Sequence, residues 1–306
     1  MSESTHFEIH PRPSSPAPIP VPVRRASRAG VKTRRAAPVF AVTSGKGGVG
    51  KTNVVANLAI ALSHLNKRVL AIDADLGLAN LDLFLGVKPT LTLADFFAGK
   101  AALDEIILTS QEGILVMPGA SGVQEITSLS AEQKAALLTD LDLLTHEMDL
   151  VLVDTGSGIS DAVTYFASAA QEIILVVTPD PASMTAACAL VKVLLSQYRE
   201  QRFLVLANNV SDAEDARRLF NDLSLTALRF FNVSLDFLDW IPRDPKLLSA
   251  AARAQTVVSN DASAPSARAF AALAEKLLQR TAARIKVKGN LQFFFRRMLE
   301  AGKAQR

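Results

Sequence analysis

Apolar residues along the chain gather into short runs separated by longer segments of helical period. PVFAVTS (38–44), RVLAID (68–73), GILVMPG (113–119), DLVLVDT (149–155), EIILVVT (172–178) and RFLVLAN (202–208) carry Val, Ile and Leu at odd and even positions alike. A strand that is apolar on both faces belongs in a parallel sheet covered on both sides; a sheet with one wet face would alternate. The stretches 51–65, 130–147, 183–199, 213–222 and 264–280 read as helices, the second opening with the capping pair Ser130/Gln133. Strand-then-helix alternation over residues 38–280 predicts one α/β domain, a doubly wound and mostly parallel sheet.

Two segments stand outside this pattern. PRPSSPAPIPVPV followed by RRASRAGVKTRR cannot bury a core, so residues 1–37 are expected to be a disordered arm, either a solvated linker or a docking element. Residues 281–306 are expected to be a linker and an amphipathic helix. On a helical wheel Leu291, Phe294, Phe295, Met298 and Leu299 share one face, with Gln292, Arg296 and Arg297 outside it and Phe293 breaking the pattern. An aromatic stripe bordered by arginines is the composition of an interfacial membrane helix. The alternative is that the stripe packs on its own domain.

Charge sharpens that division. The chain totals +3, but residues 1–37 hold seven Lys/Arg against two acids and residues 275–306 hold nine against two, leaving residues 38–274 at −9. Any anionic partner is therefore to be sought at the ends. The single cysteine, Cys188 in AACALVKVLL, excludes a disulfide scaffold or a one-chain cysteine cage and reads as a small buried hydrophobe. No stretch reaches the roughly 18 apolar residues of a membrane span, and no secretory signal opens the chain, so a cytoplasmic location is expected.

The chemistry begins directly after the first strand. Gly45-Lys46-Gly47-Gly48-Val49-Gly50-Lys51-Thr52 satisfies G-x-x-x-x-G-K-[ST] between a predicted strand and a predicted helix. Backbone N–H groups of such a loop curl around a β-phosphate and the helix adds its positive dipole end. Lys51 neutralises β/γ-phosphates and the Thr52 hydroxyl ligates Mg2+. Asp73 and Asp75 close the second strand in AIDADLGLANLD, and Asp154 closes the fourth in LVLVDTGSG. An Asp ending a strand beside the P-loop holds the magnesium of a nucleoside triphosphate, which assigns Asp154 to the metal. Gly156 and Gly158 leave the following loop free to sense a γ-phosphate.

Lys46 is not needed by an ordinary P-loop, and on a bare loop it could simply face solvent. As K-G-G-V-G-K-T, however, the motif resembles the deviant Walker A ATPases, a family that includes the septum-placing MinD, the plasmid-partitioning ParA and the flagellar-number regulator FlhG, also called FleN. The resemblance covers about residues 38–280 and implies a MinD-like fold of the SIMIBI class, ATP and Mg2+ as ligands, and slow hydrolysis until two ATP-bound copies meet. It implies that Lys46 reaches the partner copy's phosphates and that Asp75 orients the attacking water, so Lys46, Lys51 and Asp75 form the catalytic set. Asp73 supports either the strand end or the magnesium shell. It further implies adenine contacts from Asn208, with Asn209 the competing choice, and from the Pro242–Asp244 loop.

Asn53 in KTNVVANLA, DADLGLANLDLFLG, DTGSGIS and TPDPASMTAACALVKVL resemble FlhG more than MinD, whose stretches more often read KTT and DSPAG. A CxxC is absent, against a cluster carrier, and only Tyr165 and Tyr198 are present, against a tyrosine-rich kinase tail. The FlhG resemblance implies a switch that sets flagellar number or placement by cycling between a cytoplasmic monomer and a dimer on the inner membrane, held there by the C-terminal helix, which leaves the domain or returns to it with nucleotide state. The implied partners are the SRP-type GTPase FlhF and basal-body or transcriptional regulators. Residues 1–37 lack the DQA-type motif through which FlhG proteins often stimulate FlhF, which leaves that activation in doubt. The competing readings are a ParA-like partition ATPase binding DNA without sequence preference, disfavoured by the acidic core, and a MinD-type septum regulator.

Overall fold

The computed structural model describes residues 37–75, 79–91, 95, 100–119 and 147–283. The arm apart from its last residue, Ala37, which is buried in the core, the predicted helix 130–147 apart from its last residue, and Leu291, Phe294, Phe295, Met298 and Leu299 lie outside them. Each of the six apolar runs contains a strand: β1 (Val39–Ser44), β2 (Val69–Ala74), β4 (Leu115–Met117), β5 (Leu150–Ser157), β6 (Glu172–Val177) and β7 (Phe203–Val210). With β3 (Leu108–Thr109) and β8 (Leu235–Pro242) they form one sheet in the order β3-β4-β2-β5-β1-β6-β7-β8. All neighbours are parallel except β3 against β4. Every residue of β1 and β2 is buried, as strands apolar on both faces require.

Helices cover both faces. On one, α1 (Lys51–His64) packs with the closing helix along a core that includes Leu58, Leu62, Phe270, Leu273 and Leu277. Between β2 and β5 in sequence, short α2 (Leu81–Phe84) and α3 (Leu103–Ile106) are described. On the other face α4 (Asp161–Ala169) supplies Phe166, while α5 (Pro181–Tyr198) and α6 (Ala213–Phe231) bury Leu190, Leu194, Leu219 and Leu223 against β6 and β7. Short α7 (Pro245–Ala251) and α8 (Val257–Asn260) lead into α9 (Pro265–Ala283).

Helix starts follow their sequence signals. Asp180 accepts from the Ala182 and Ser183 amides ahead of Pro181, and Asp212 from the Glu214 and Asp215 amides. Asp244 does double duty: Oδ1 accepts from the Lys246 amide at the start of α7, and Oδ2 from the Ser266 amide and hydroxyl at the start of α9. Asn57, fully buried in α1, donates to Asn53 and accepts the Val258 amide, tying the P-loop helix to α8. A buried amide bonded on both sides is structurally committed, because removing it strands its partners.

Three expectations shift. Helix 213–222 runs on to Phe231, since Leu223 and Ala227 continue the buried stripe of Ala216 and Leu219 although Leu225 and Leu228 face water. The strand 113–119 shortens to Leu115–Met117. Residues 235–242, which lie outside the predicted strands and whose Pro242 opens the expected base-closing loop, form the edge strand β8, whose Asp236 and Asp239 pair with Arg280 and Lys276 of α9.

Candidate functional site

A parallel sheet gathers the carboxyl ends of its strands on one side, and ligands bind in the crevice there. β1 sits between β5 and β6, and its end runs into residues 45–50, with Lys51 opening α1. Gly50 lies at φ +93°, a left-handed turn that glycine adopts without strain where the loop enters α1. Gly45 meets α5 so closely that an added Cβ would stand 2.0 Å from the Ala186 carbonyl oxygen.

Around that loop the charged residues converge. β5 lies between β1 and β2, so Asp154 is level with Val42 on one side and Asp73 on the other. The Asp154 carboxyl is 1% exposed and neither of its oxygens has a hydrogen-bond partner. Burial pushes it up to about 7; the Thr52 hydroxyl, which approaches without completing a hydrogen bond, and the Lys51 ammonium pull the other way. Lys51 is buried too, and burial holds it below the ordinary lysine value against the attraction of Asp154 and then Asp75. A carboxylate stripped of water and left unbonded beside a threonine hydroxyl is a cation site in its chemistry. Thr52 and Asp154 thus fit Mg2+, whose charge when bound offsets that of the phosphates.

Asp73 has a different task. Its Oδ1 accepts the Asp75 amide at 3.1 Å, and its Oδ2 accepts the Asn80 and Leu81 amides at 3.0 and 3.1 Å. It anchors both ends of the loop that carries Asp75, which favours the strand-end role over the magnesium shell. Burial raises its pKa and those backbone bonds oppose the rise. The loop after β5 is tied to β1 by the Gly158 amide on the Ser44 carbonyl. Gly156, near the end of β5, is close enough to Asp75 that a Cβ would stand 3.5 Å from Oδ1.

Asn208 and Asn209 separate clearly. The Asn208 Nδ2 donates to the Val49 carbonyl at 2.7 Å, which fixes the amide's orientation and leaves Oδ1 buried with no partner. An orphaned acceptor beside the P-loop suits the exocyclic amine of adenine. Asn209 sits at φ +59°, in the irregularity between β7 and β8. Pro242 ends β8 nearby, but the Asp244 carboxylate is spent on α7 and α9, so the loop offers a base its backbone only. Cys188 is half-buried against the α5–α6 core, where burial raises its thiol.

One partner escaped the sequence reading. Lys46 bonds to Asp180, the N-cap of α5, and both side chains stay roughly two-fifths exposed (43% and 42%). Lys46 draws the Asp180 pKa down. The Asp-Pro pair announces a helix start, but nothing local places that start beside the loop.

A match to the ParA family model, described as NUBPL iron-transfer P-loop NTPase, spans residues 35–278. The chain belongs to the ParA/MinD family of P-loop ATPases. Within this family it is 40% identical to the antiactivator FleN of Pseudomonas aeruginosa over 262 residues, covering 86% of this chain and 93% of that one. It is 34% identical to the flagellum site-determining protein YlxH of Helicobacter pylori, covering 85% and 89%. Among solved structures, MinD of Pyrococcus horikoshii in complex with Mg-ADP superposes with TM-score 0.63 at 28% identity, over 83% of this chain and all of that one. MinD of Aquifex aeolicus gives the same TM-score at 26% identity. As a ParA/MinD ATPase the protein hydrolyses ATP with Mg2+.

Proposed function

We propose that this ATPase is a dimerising switch that restrains flagellar number or placement, cycling between a free monomer and an ATP-bound dimer at the inner membrane surface. The observation that carries the switch is the second loop lysine. Lys51, Thr52 and Asp154 suffice to hold the phosphates and magnesium of one nucleotide, whereas Lys46 is bonded to a half-exposed carboxylate outside that set. A cation held at the rim by one exposed ion pair, worth about 0–1 kcal/mol, is easily released to a second copy's phosphates. Leu83 and Ile159, both exposed beside the site, give such a copy apolar surface to cover.

In this reading Lys46 and Lys51 neutralise charge developing on the transferred phosphoryl group, and Asp75, carried on the loop that Asp73 anchors, orients the attacking water. The flagellar assignment is supported by the FleN and YlxH similarities and by the FlhG-like switch sequences. Partners would include flagellar regulators and the GTPase FlhF, and the C-terminal stripe would hold the dimer on lipid.

Deleting the gene in its host should raise the number of flagella per cell counted by electron microscopy. The wild-type chain should restore the normal count and the Lys46→Ala chain should not. Unchanged flagellation in the deletion, with altered septum position or plasmid loss instead, would overturn the flagellar role.

A further inference from the structure

Opposite the P-loop, where the parallel strands begin, the outer edge of the sheet is apolar and basic together. α6 ends there with Leu225, Leu228 and Phe230 exposed at 65%, 54% and 68%. Single exposed apolar side chains are ordinary, but three within the span 225–230, Leu225 and Leu228 on one side of the helix and Phe230 on the other, surround its last turns with apolar surface. Arg229 lies among them, its guanidinium 5.6 Å from the Phe230 ring centroid. Arg199 at the end of α5 and Arg202 before β7 belong to the same edge. Of the acids near it, Asp236 bonds Arg280, Glu172 pairs with Arg202 at 3.9 Å and Glu200 is buried, while Asp222, one turn before Leu225 on α6, is exposed.

The chain also leaves the domain at this edge. α9 runs antiparallel to β8, since Lys276 bonds Asp239 and, one turn later, Arg280 bonds Asp236 at 3.1 Å. Only Asn232–Ser234 separate the end of α6 from the start of β8. Ala283 therefore hands residues 284–306, with seven Lys/Arg against one acid, to the end of the strand that the Phe230 patch adjoins.

We propose that this patch is a second membrane contact, in which Leu225, Leu228 and Phe230 enter the interfacial layer of an anionic bilayer and Arg229 meets the headgroup phosphates. The proposal rests on the peripheral-membrane reading of the C-terminal stripe and adds a surface of the folded domain to it. Charge decides between a bilayer and the chain's own stripe as occupant. Residues 284–306 carry seven Lys/Arg against one acid, so seating them on a patch that holds Arg229 brings like charges together, whereas an anionic surface complements both. The two contacts join through a short tether, so each raises the effective concentration of the other.

The test uses the full chain with a non-hydrolysable ATP analogue, Mg2+ and vesicles of phosphatidylglycerol and phosphatidylethanolamine, with pure phosphatidylcholine vesicles as the uncharged arm. The double variant Leu228→Ser/Phe230→Ser, at exposed positions outside the nucleotide site, should keep its thermal midpoint and nucleotide affinity and bind anionic vesicles roughly tenfold or more weakly in sedimentation. A second readout is an environment-sensitive dye on Phe230→Cys in a Cys188→Ala background, which should shift to the blue on anionic vesicles only. If Phe294→Ser/Phe295→Ser abolishes binding while the Leu228/Phe230 variant binds like wild type and the dye stays in water, the second contact is wrong and the C-terminal anchor stands. If the Leu228/Phe230 variant binds more tightly, the patch holds the C-terminal stripe and the proposal is overturned. If the wild-type chain ignores anionic vesicles, the membrane reading itself fails.

Discussion

Asp154→Asn is expected to raise the thermal midpoint of the protein without nucleotide while lowering Mg2+-dependent ATP hydrolysis by at least about 10²-fold. Both effects come from one fact, a carboxyl 1% exposed whose oxygens have no hydrogen-bond partner. Its pKa, pushed up to about 7, lies above the ordinary aspartate value of 3.8, so the folded state holds the proton more tightly than the unfolded chain. Stability contributed by this group is therefore full below about pH 4 and lost as pH rises toward 7. The neutral amide avoids that loss, so its advantage over wild type should be larger at pH 8 than at pH 5. Mg2+ with ATP should reverse the order, stabilising wild type and leaving the variant nearly unmoved. Calorimetric scans at the two pH values, with and without Mg-ATP, check each sign. A variant less stable than wild type at pH 8 would show that Asp154 is satisfied in the free protein.

Gly45→Ala should have the other large effect. The new methyl would stand 2.0 Å from the Ala186 oxygen, 2.1 Å from its carbonyl carbon and 2.6 Å from the Ala187 nitrogen, all backbone atoms of α5 that cannot swing aside. Either α5 retreats or the loop deforms. Overpacking of this kind costs about 1–3 kcal/mol, and because α5 carries Asp180 the disturbance reaches Lys46 as well. We expect a midpoint several degrees lower and ATP binding weakened by about 10²-fold in calorimetric titration. Gly47→Ala is the contrast: its methyl would meet only the Ser157 hydroxyl, at 3.4 Å, so its midpoint should match wild type. Equal midpoints for the two variants would mean that α5 yields freely.

These residues also mark what a sequence can carry. The P-loop was legible because the chemistry lies in consecutive residues, and Asp154 because a strand-ending Asp beside that loop has one place to be. The central strands were legible because burial on both faces writes an apolar run. β8 was not: an edge strand keeps Asp236 and Asp239 near water, and its ion pairs to α9 join positions 37 and 44 residues apart. The far end of α6 was obscured by Leu225, Leu228 and Phe230, which face solvent where a helical stripe would place polar residues. The closeness of Gly45 to Ala186 and the pairing of Lys46 with Asp180 are tertiary facts of the same kind, since the register of α5 against β1 brings them together. Asn208 was preferred to Asn209 by resemblance, and its orphaned Oδ1 now gives a physical reason for that preference.

Sedimentation equilibrium of the full chain with Mg2+ and a non-hydrolysable ATP analogue bears most directly on the switch. Wild type should be a dimer with the analogue and a monomer with ADP, and Lys46→Ala should stay monomeric with its nucleotide affinity unchanged. A wild-type chain that remains monomeric with the analogue, or a Lys46→Ala chain that dimerises as well as wild type, would contradict the role given to Lys46 and the dimerising switch built on it.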